Sequence, residues 1–340
     1  MSKTLALVVS KGQLERLSNE SLFHRALTEH FQTETAYLDD GVGAISGLLE
    51  KCRTHDAVLF NCYYRDLERL PEVDWAGFQG PRILYETDLC QNRVIAMLER
   101  PHHVGRLREP IERLGFSHVI TTDHITSQEG LGPNLKVGWL PKYYVPDYFR
   151  PLDAERTGFC CAYGTPYDAR RCLTHSLRGE LYQPVEVEAP YAQLNQTLNR
   201  FLACLVCNFG VEFSPSPSGF FRRLWKEIPG LTRFLLPRVP HLGCQIASSM
   251  GTMFKNFEAC GAGCAPFMDD SEELTELGFQ DGLNAVTYCN FDDLKERLQH
   301  YFRSPKQLLE IGRQAELLVR TRHTLQHRMV QLETMISRFS

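Results

Sequence analysis

Short apolar runs alternate with amphipathic segments of helical period twice along this chain, and few architectures accept that alternation. In the first half the strand-like runs are Leu5–Ser10, Glu34–Leu38, Ala57–Cys62, Arg82–Glu86 and His118–Thr121. Helical patterns lie between them around Gln13–His30, Ala44–Cys52, Gln91–Leu98 and Glu109–Leu114. Neighbouring parallel strands need a long crossover, usually a helix, so the pattern predicts a parallel sheet covered by helices. Leu135–Leu140 follows, and then PKYYVPDYFRP at 141–151, whose three prolines stiffen an extended link. Beyond it the pattern restarts: strand Gly158–Tyr163, helical Arg170–Arg178, strand-like Leu181–Val187, helical Tyr191–Leu202 and strand Ala203–Phe209. A chain of 340 residues favours two domains, and 141–151 is the expected boundary.

Bulk properties remove several classes of function. The net charge of −4 with no basic tail gives no nucleic-acid footprint. No apolar stretch reaches bilayer-spanning length, and the run Leu5–Val9 is too short for a secretion signal, so a cytoplasmic location is expected. The 12 cysteines are scattered, and several (Cys160, Cys161, Cys204) lie inside apolar runs, which favours reduced thiols over disulfides. Cys204 and Cys207 have C-x-x-C spacing, but they sit within FLACLVCNF without a second ligand pair, so they read as core packing, not metal.

The segment with the most chemistry is Met250–Leu277, MGTMFKNFEACGAGCAPFMDDSEELTEL. It reads as a helix opened by Gly251 and Thr252, a small-residue turn, a short apolar strand and an acidic helix start. Met253 falls at the helix tip, where backbone N–H groups lack intrahelical partners and favour anions. Lys255 and Glu258 lie on one helix face, one turn apart. Exposed amides and an ammonium suit a diphosphate, and a carboxylate can accept from ribose hydroxyls. A solvated ion pair on an ordinary helix is the alternative.

The order of features over Ser249–Met329 resembles the C-terminal half of GT-B glycosyltransferases, in particular the "glycosyl transferases group 1" domain related to CgeB-like spore-coat proteins. Such domains read R-x-F-E-A-x-A-x-G-A, then Glu-Leu, then Gly, then a closing H-T-x-x-x-R. Here the counterparts are Lys255–Phe257–Glu258–Ala259 through Ala262, Glu276–Leu277, Gly282 and His323–Thr324 with Arg328. The resemblance implies an α/β fold of two Rossmann-like doubly wound domains facing across a cleft. Residues 1–145 would form the acceptor-side domain. Residues 146–322 would bind the nucleotide sugar, with an insertion at about 210–243, and 323–340 would be a helix packing back on the first domain. Two departures stand out. Lys255 replaces the family's frequent Arg, which keeps the charge but loses the planar fork. Retaining members often carry two glutamates eight positions apart, and the position paired with Glu258 is Met250.

By this resemblance the chain moves a sugar from a nucleoside-diphosphate sugar to a hydroxyl of a glycan, lipid-linked or protein acceptor. No D-x-D sequence occurs, so no metal and no resident cofactor are expected, and the helix amides with Lys255 would stabilise the leaving diphosphate. Gly164 and Thr165 form the expected phosphate-side turn after a strand, with Arg170 or Arg171 beyond it, although both arginines also fit a solvated helix face. The catalytic base is expected at a strand end of the first domain: Asp88, or His124 next to Asp123, with Glu86, Asn61 and Gly12 similarly placed. Each of these also fits a cap or structural role. The insertion alternates Arg222, Arg223, Lys226, Arg233 and Arg238 with aromatic and aliphatic residues, so 219–238 reads as an acceptor loop, a peripheral contact with the inner membrane face or a packed insertion. Two further readings keep the same fold: a noncatalytic nucleotide-sugar-binding scaffold and a sugar-nucleotide epimerase.

Overall fold

The computed structural model describes residues 3–62, 64–67, 70–75, 77–87, 109–122, 124–164, 174, 177–206, 211–213, 244–246, 252–289 and 291–339. The chain divides into two compact units, Met1–Lys142 with Leu325–Ser340, and Tyr143–Thr324.

The first unit runs β1 (Thr4–Val9), α1 (Asn19–His30), β2 (Gln32–Tyr37), α2 (Val42–Lys51), β3 (Ala57–Asn61), α3 (Tyr64–Leu67), β4 (Arg82–Glu86), β5 (His118–Thr121), α4 (His124–Glu129) and β6 (Lys136–Trp139). Its six strands pair in parallel in the order β2-β1-β3-β4-β5-β6. Strands β1, β3 and β4 are covered on both faces, which is why they read as unbroken apolar runs. Helix α1 begins at Asn19, later than the pattern from Gln13 suggests, because Ser18 and Ser21 form a reciprocal cap there. Lys11–Gln13 closes as a separate 3-10 turn.

The second unit runs β7 (Gly158–Tyr163), β8 (Val185–Val187), α5 (Tyr191–Leu198), β9 (Phe201–Val206), the hairpin-like pair β10 (Val211–Phe213) and β11 (Cys244–Ile246), α6 (Phe254–Gly261), β12 (Ala265–Asp269), α7 (Glu272–Glu276), β13 (Val286–Tyr288), α8 (Phe291–Phe302) and α9 (Pro305–Arg322). Five of these strands form a parallel sheet in the order β13-β12-β9-β7-β8. Two expected elements are shorter. Helix α5 stops at Leu198 rather than Leu202, since Asn199 turns to bond the backbones of Arg150 and Leu152 and Phe201 enters the sheet. Leu181 is 85% exposed and only Val185–Val187 pairs as strand. Gly312 in α9 lets that helix lie directly on β12, because a Cβ there would overlap the Gly263 carbonyl.

The helix expected at 323–340 begins at Leu325, and α9 ends before it at Arg322. Helix α10 (Leu325–Phe339) begins after His323 and Thr324, whose backbones leave the helix to pair with Tyr144. The His323 ring donates from Nε2 to the Leu277 carbonyl at 2.8 Å and stacks on Phe279. Helix α10 belongs to the first unit, where Met329, Leu332 and Ile336 are fully buried. Arg328, 1% exposed, donates from Nε to the Pro141 carbonyl at 2.7 Å and from Nη2 to the Lys142 carbonyl at 2.9 Å. The closing H-T-x-x-x-R sequence is therefore a fastening device within each unit.

Arg328→Met keeps the side chain's bulk and strips the charged donor from two buried carbonyls. Urea titration should show a loss of about 3 kcal/mol in unfolding free energy. A change under about 0.5 kcal/mol, typical of a surface substitution, would contradict this reading.

His118 on β5 stacks on Phe339 at 4.1 Å, and burial, reinforced by Lys136 and Arg82, pushes its imidazole down to about 4. The unfolded chain, near 6.5, binds the proton first, so stability is full above about pH 6.5 and falls as pH drops toward 4. His118→Gln should flatten that fall in urea midpoints measured from pH 7 to pH 4. Parallel curves for both proteins would show that His118 does not contribute.

Candidate active site

In the second unit the site is built where β7 ends and α6 begins. Parallel α/β sheets bind ligands outside the carboxyl ends of their strands, and Tyr163 is the last residue of β7. Gly164 follows with φ of +82°, a left-handed conformation that glycine adopts without penalty. A Cβ on Gly164 would lie 2.5 Å from Lys255 Cε and 2.7 Å from Lys255 Nζ. The lysine side chain thus lies across the bare Cα of the turn, with its ammonium 6.0 Å from the centre of the Tyr163 ring.

Helix α6 opens at Phe254, beyond Thr252. Its cap is Met253, in extended conformation, and the Asn256 side chain reaches back to accept the Met253 N–H at 2.7 Å. Thr252, 1% exposed, donates its hydroxyl to Glu273 Oε1 on α7 at 2.5 Å, which commits that side chain to α7. Gly251, Thr165 and Arg170 lie outside the described residues, as does the segment 219–238.

Glu258 stands one turn beyond Lys255 and is only 3% exposed. The Tyr163 hydroxyl donates to its Oε2 at 2.9 Å and also lies 3.4 Å from the Lys255 carbonyl oxygen. Burial, with the negative charge of Glu258 beside it, pushes the Tyr163 phenol far above its usual range, so it stays a donor. Moving a carboxylate out of water costs several kcal/mol, and one hydrogen bond from a neutral hydroxyl offsets about 1.5–3 kcal/mol of that. The sheet end, the turn and the helix therefore bring Gly164, Lys255 and Glu258 together. Tyr163 is the member the sequence reading missed. Its signal was there: a hydroxyl-bearing residue closing an apolar strand just before a glycine.

In the first unit, the strand ends present Asn61, Glu86, Thr122 and His124, all buried. His124 opens α4; its ring packs on Trp139 at 4.5 Å and Nε2 lies 3.1 Å from the Gln128 amide. Asp88 and Asp123 lie outside the described residues. The carbonyl of Thr87, the neighbour of Asp88, accepts from the Thr122 hydroxyl at 3.0 Å and the Lys142 ammonium at 3.3 Å. Gly12 sits in the 3-10 turn after β1, where a Cβ would meet Ser10 Oγ at an ordinary 3.9 Å, so nothing there demands glycine. Cys204 is buried opposite Cys161 on β7, and Cys207 lies outside the described residues.

Residues 231–334 match the model of a glycosyl transferase-like family. No curated protein matches the chain. Among solved structures, sucrose-phosphate synthase from Thermosynechococcus elongatus superposes with a TM-score of 0.57 at 10% identity, covering 99% of this chain and 98% of that one. HepE of Anabaena, solved in complex with UDP-glucose, gives a TM-score of 0.56 at 12% identity, covering 98% and 99%. The fold is GT-B. The stretch that matches the family model contains Lys255 and Glu258.

Gly164→Ala forces a left-handed Ala and pushes a methyl into Lys255. Urea titration should show about 1–2 kcal/mol of destabilisation. Unchanged stability would mean that the residue at 164 is not held in the left-handed conformation.

Proposed function

We propose that the protein transfers a sugar from a nucleoside-diphosphate sugar to an acceptor hydroxyl, and that the second unit holds the donor. The observation that carries this reading is Lys255 stretched across Gly164 at the end of β7, one helical turn from buried Glu258. Lys255 and the first amides of α6 neutralise the charge that develops on the leaving diphosphate, and Glu258 accepts from the ribose. Met253 contributes through its place at the helix tip, and Thr252 through its anchorage to α7. Thr165 and Arg170, next along the chain from Gly164, complete the phosphate side. HepE, a neighbour in fold, has been solved with UDP and with UDP-glucose, which supports a nucleotide-sugar donor.

The first unit supplies the base. His124, or Asp88 after the pinned Thr87, takes the proton of the acceptor hydroxyl as the new bond forms. The reaction runs without a metal: the chain has no D-x-D sequence, and a lysine with helix amides provides the positive field instead. The acceptor is a glycan, a lipid-linked saccharide or a protein, met through the Arg-rich aromatic segment 219–238. That composition also suits peripheral contact with the inner face of a membrane from the cytoplasm. No helix among the described residues is long and apolar enough to cross a membrane.

One observation favours a second reading. Met250 stands where retaining relatives carry the acid that faces the donor sugar, as in a noncatalytic nucleotide-sugar binder. Release of nucleoside diphosphate that depends on acceptor separates the two.

Isothermal titration against UDP-, GDP- and dTDP-sugars should find at least one ligand. Glu258→Ala should weaken it by about tenfold or more, the size of one charged hydrogen bond. Lys255→Met should depress turnover more than donor affinity, because its contact strengthens as charge develops. Equal affinity in wild type and Glu258→Ala would remove the site assignment. Turnover unaffected by EDTA is expected, and its loss would overturn metal independence.

A further inference from the structure

We infer that Tyr163 is a positioning residue that selects ribonucleotide donors by orienting the Glu258 carboxylate. The inference rests on the proposal that Glu258 meets the ribose. A carboxylate at the end of three rotatable bonds discriminates between ribose and deoxyribose only if its plane is fixed. Tyr163 fixes it. Its hydroxyl reaches Glu258 Oε2 at 2.9 Å, and its ring is held by the strand, being 5% exposed as the last residue of β7. The same ring lies beneath the Lys255 ammonium, 6.0 Å from its centre. One side chain therefore sets both the group meant for the ribose and the group meant for the diphosphate.

A merely structural role for the pair makes a different demand. A buried carboxylate needs a donor, but any donor serves that end, and loss of it would weaken every nucleotide alike. Orientation acts only on ligands that carry the ribose hydroxyls. Tyr163→Phe should therefore lower affinity for UDP and leave affinity for 2′,3′-dideoxyuridine diphosphate as it was.

The test is a titration matrix. Wild type, Tyr163→Phe and Glu258→Ala are each measured with UDP and 2′,3′-dideoxyuridine diphosphate, and in parallel with GDP and its dideoxy analogue. Wild type should prefer the ribonucleotide by about tenfold or more, the scale of one charge-assisted hydrogen bond. Tyr163→Phe should bring that ratio close to one without changing the dideoxy affinity. If Glu258→Ala abolishes the preference while Tyr163→Phe keeps it, or if Tyr163→Phe weakens both ligands equally, the positioning role is overturned and the ribose site stands. If wild type shows no preference, or Glu258→Ala retains it, the ribose site itself fails, and the positioning role with it. Melting curves accompany each variant. Should Tyr163→Phe not fold, Tyr163→His keeps a buried ring with a donor but moves that donor away from the phenol's position; a ribose preference equal to wild type would then overturn the inference.

Discussion

A carboxylate buried in the second unit is the constraint around which its chemistry is arranged. Glu258 is 3% exposed on α6, and a charge in that position persists only with donors built around it. Tyr163 supplies one, and for it to do so the apolar strand β7 must end in a phenol aimed at the neighbouring helix. The turn that follows favours glycine because its φ of +82° is left-handed, and the bare Cα leaves room for the Lys255 side chain to lie across it. Asn256 closes the helix on the other side by capping Met253, so α6 is held at its tip by its own side chain. Each of these residues is explicable alone, but their convergence on one strand end is what a structural ion pair would not require.

Much of the frame was legible in the chain itself. The bounds of β4, β5 and β7 follow from apolar runs between breakers, since a strand buried on both faces has no polar alternation to blur its edges. Helices were harder at their ends. The late start of α1 depends on a Ser18–Ser21 exchange, and the early stop of α5 depends on Asn199 bonding a distant loop. The break between α9 and α10 is absent from the helical period and was expected at 323 only through the resemblance; backbone pairing with Tyr144 imposes it.

The site was legible only in its local half. Lys255 and Glu258 sit one turn apart, so helical spacing brings them together on paper. The bond between Tyr163 and Glu258 joins residues 95 positions apart, and no pattern within either segment announces it. Thr252 shows the converse: a hydroxyl at a helix start reads as a cap or a ligand contact, yet it is turned toward Glu273 on α7. His323 and Arg328 read as part of a functional signature, and the structure gives them carbonyls to hold.

The most direct measurement is a crystal structure of the protein soaked with UDP, or with GDP if UDP does not bind. The account predicts diphosphate density beside Lys255 Nζ and the Gly164 turn, with the ribose within hydrogen-bond reach of Glu258. Density instead in the depression of the first unit lined by Arg82, Glu112 and Asn134, at the Arg82 end of β4, would contradict it.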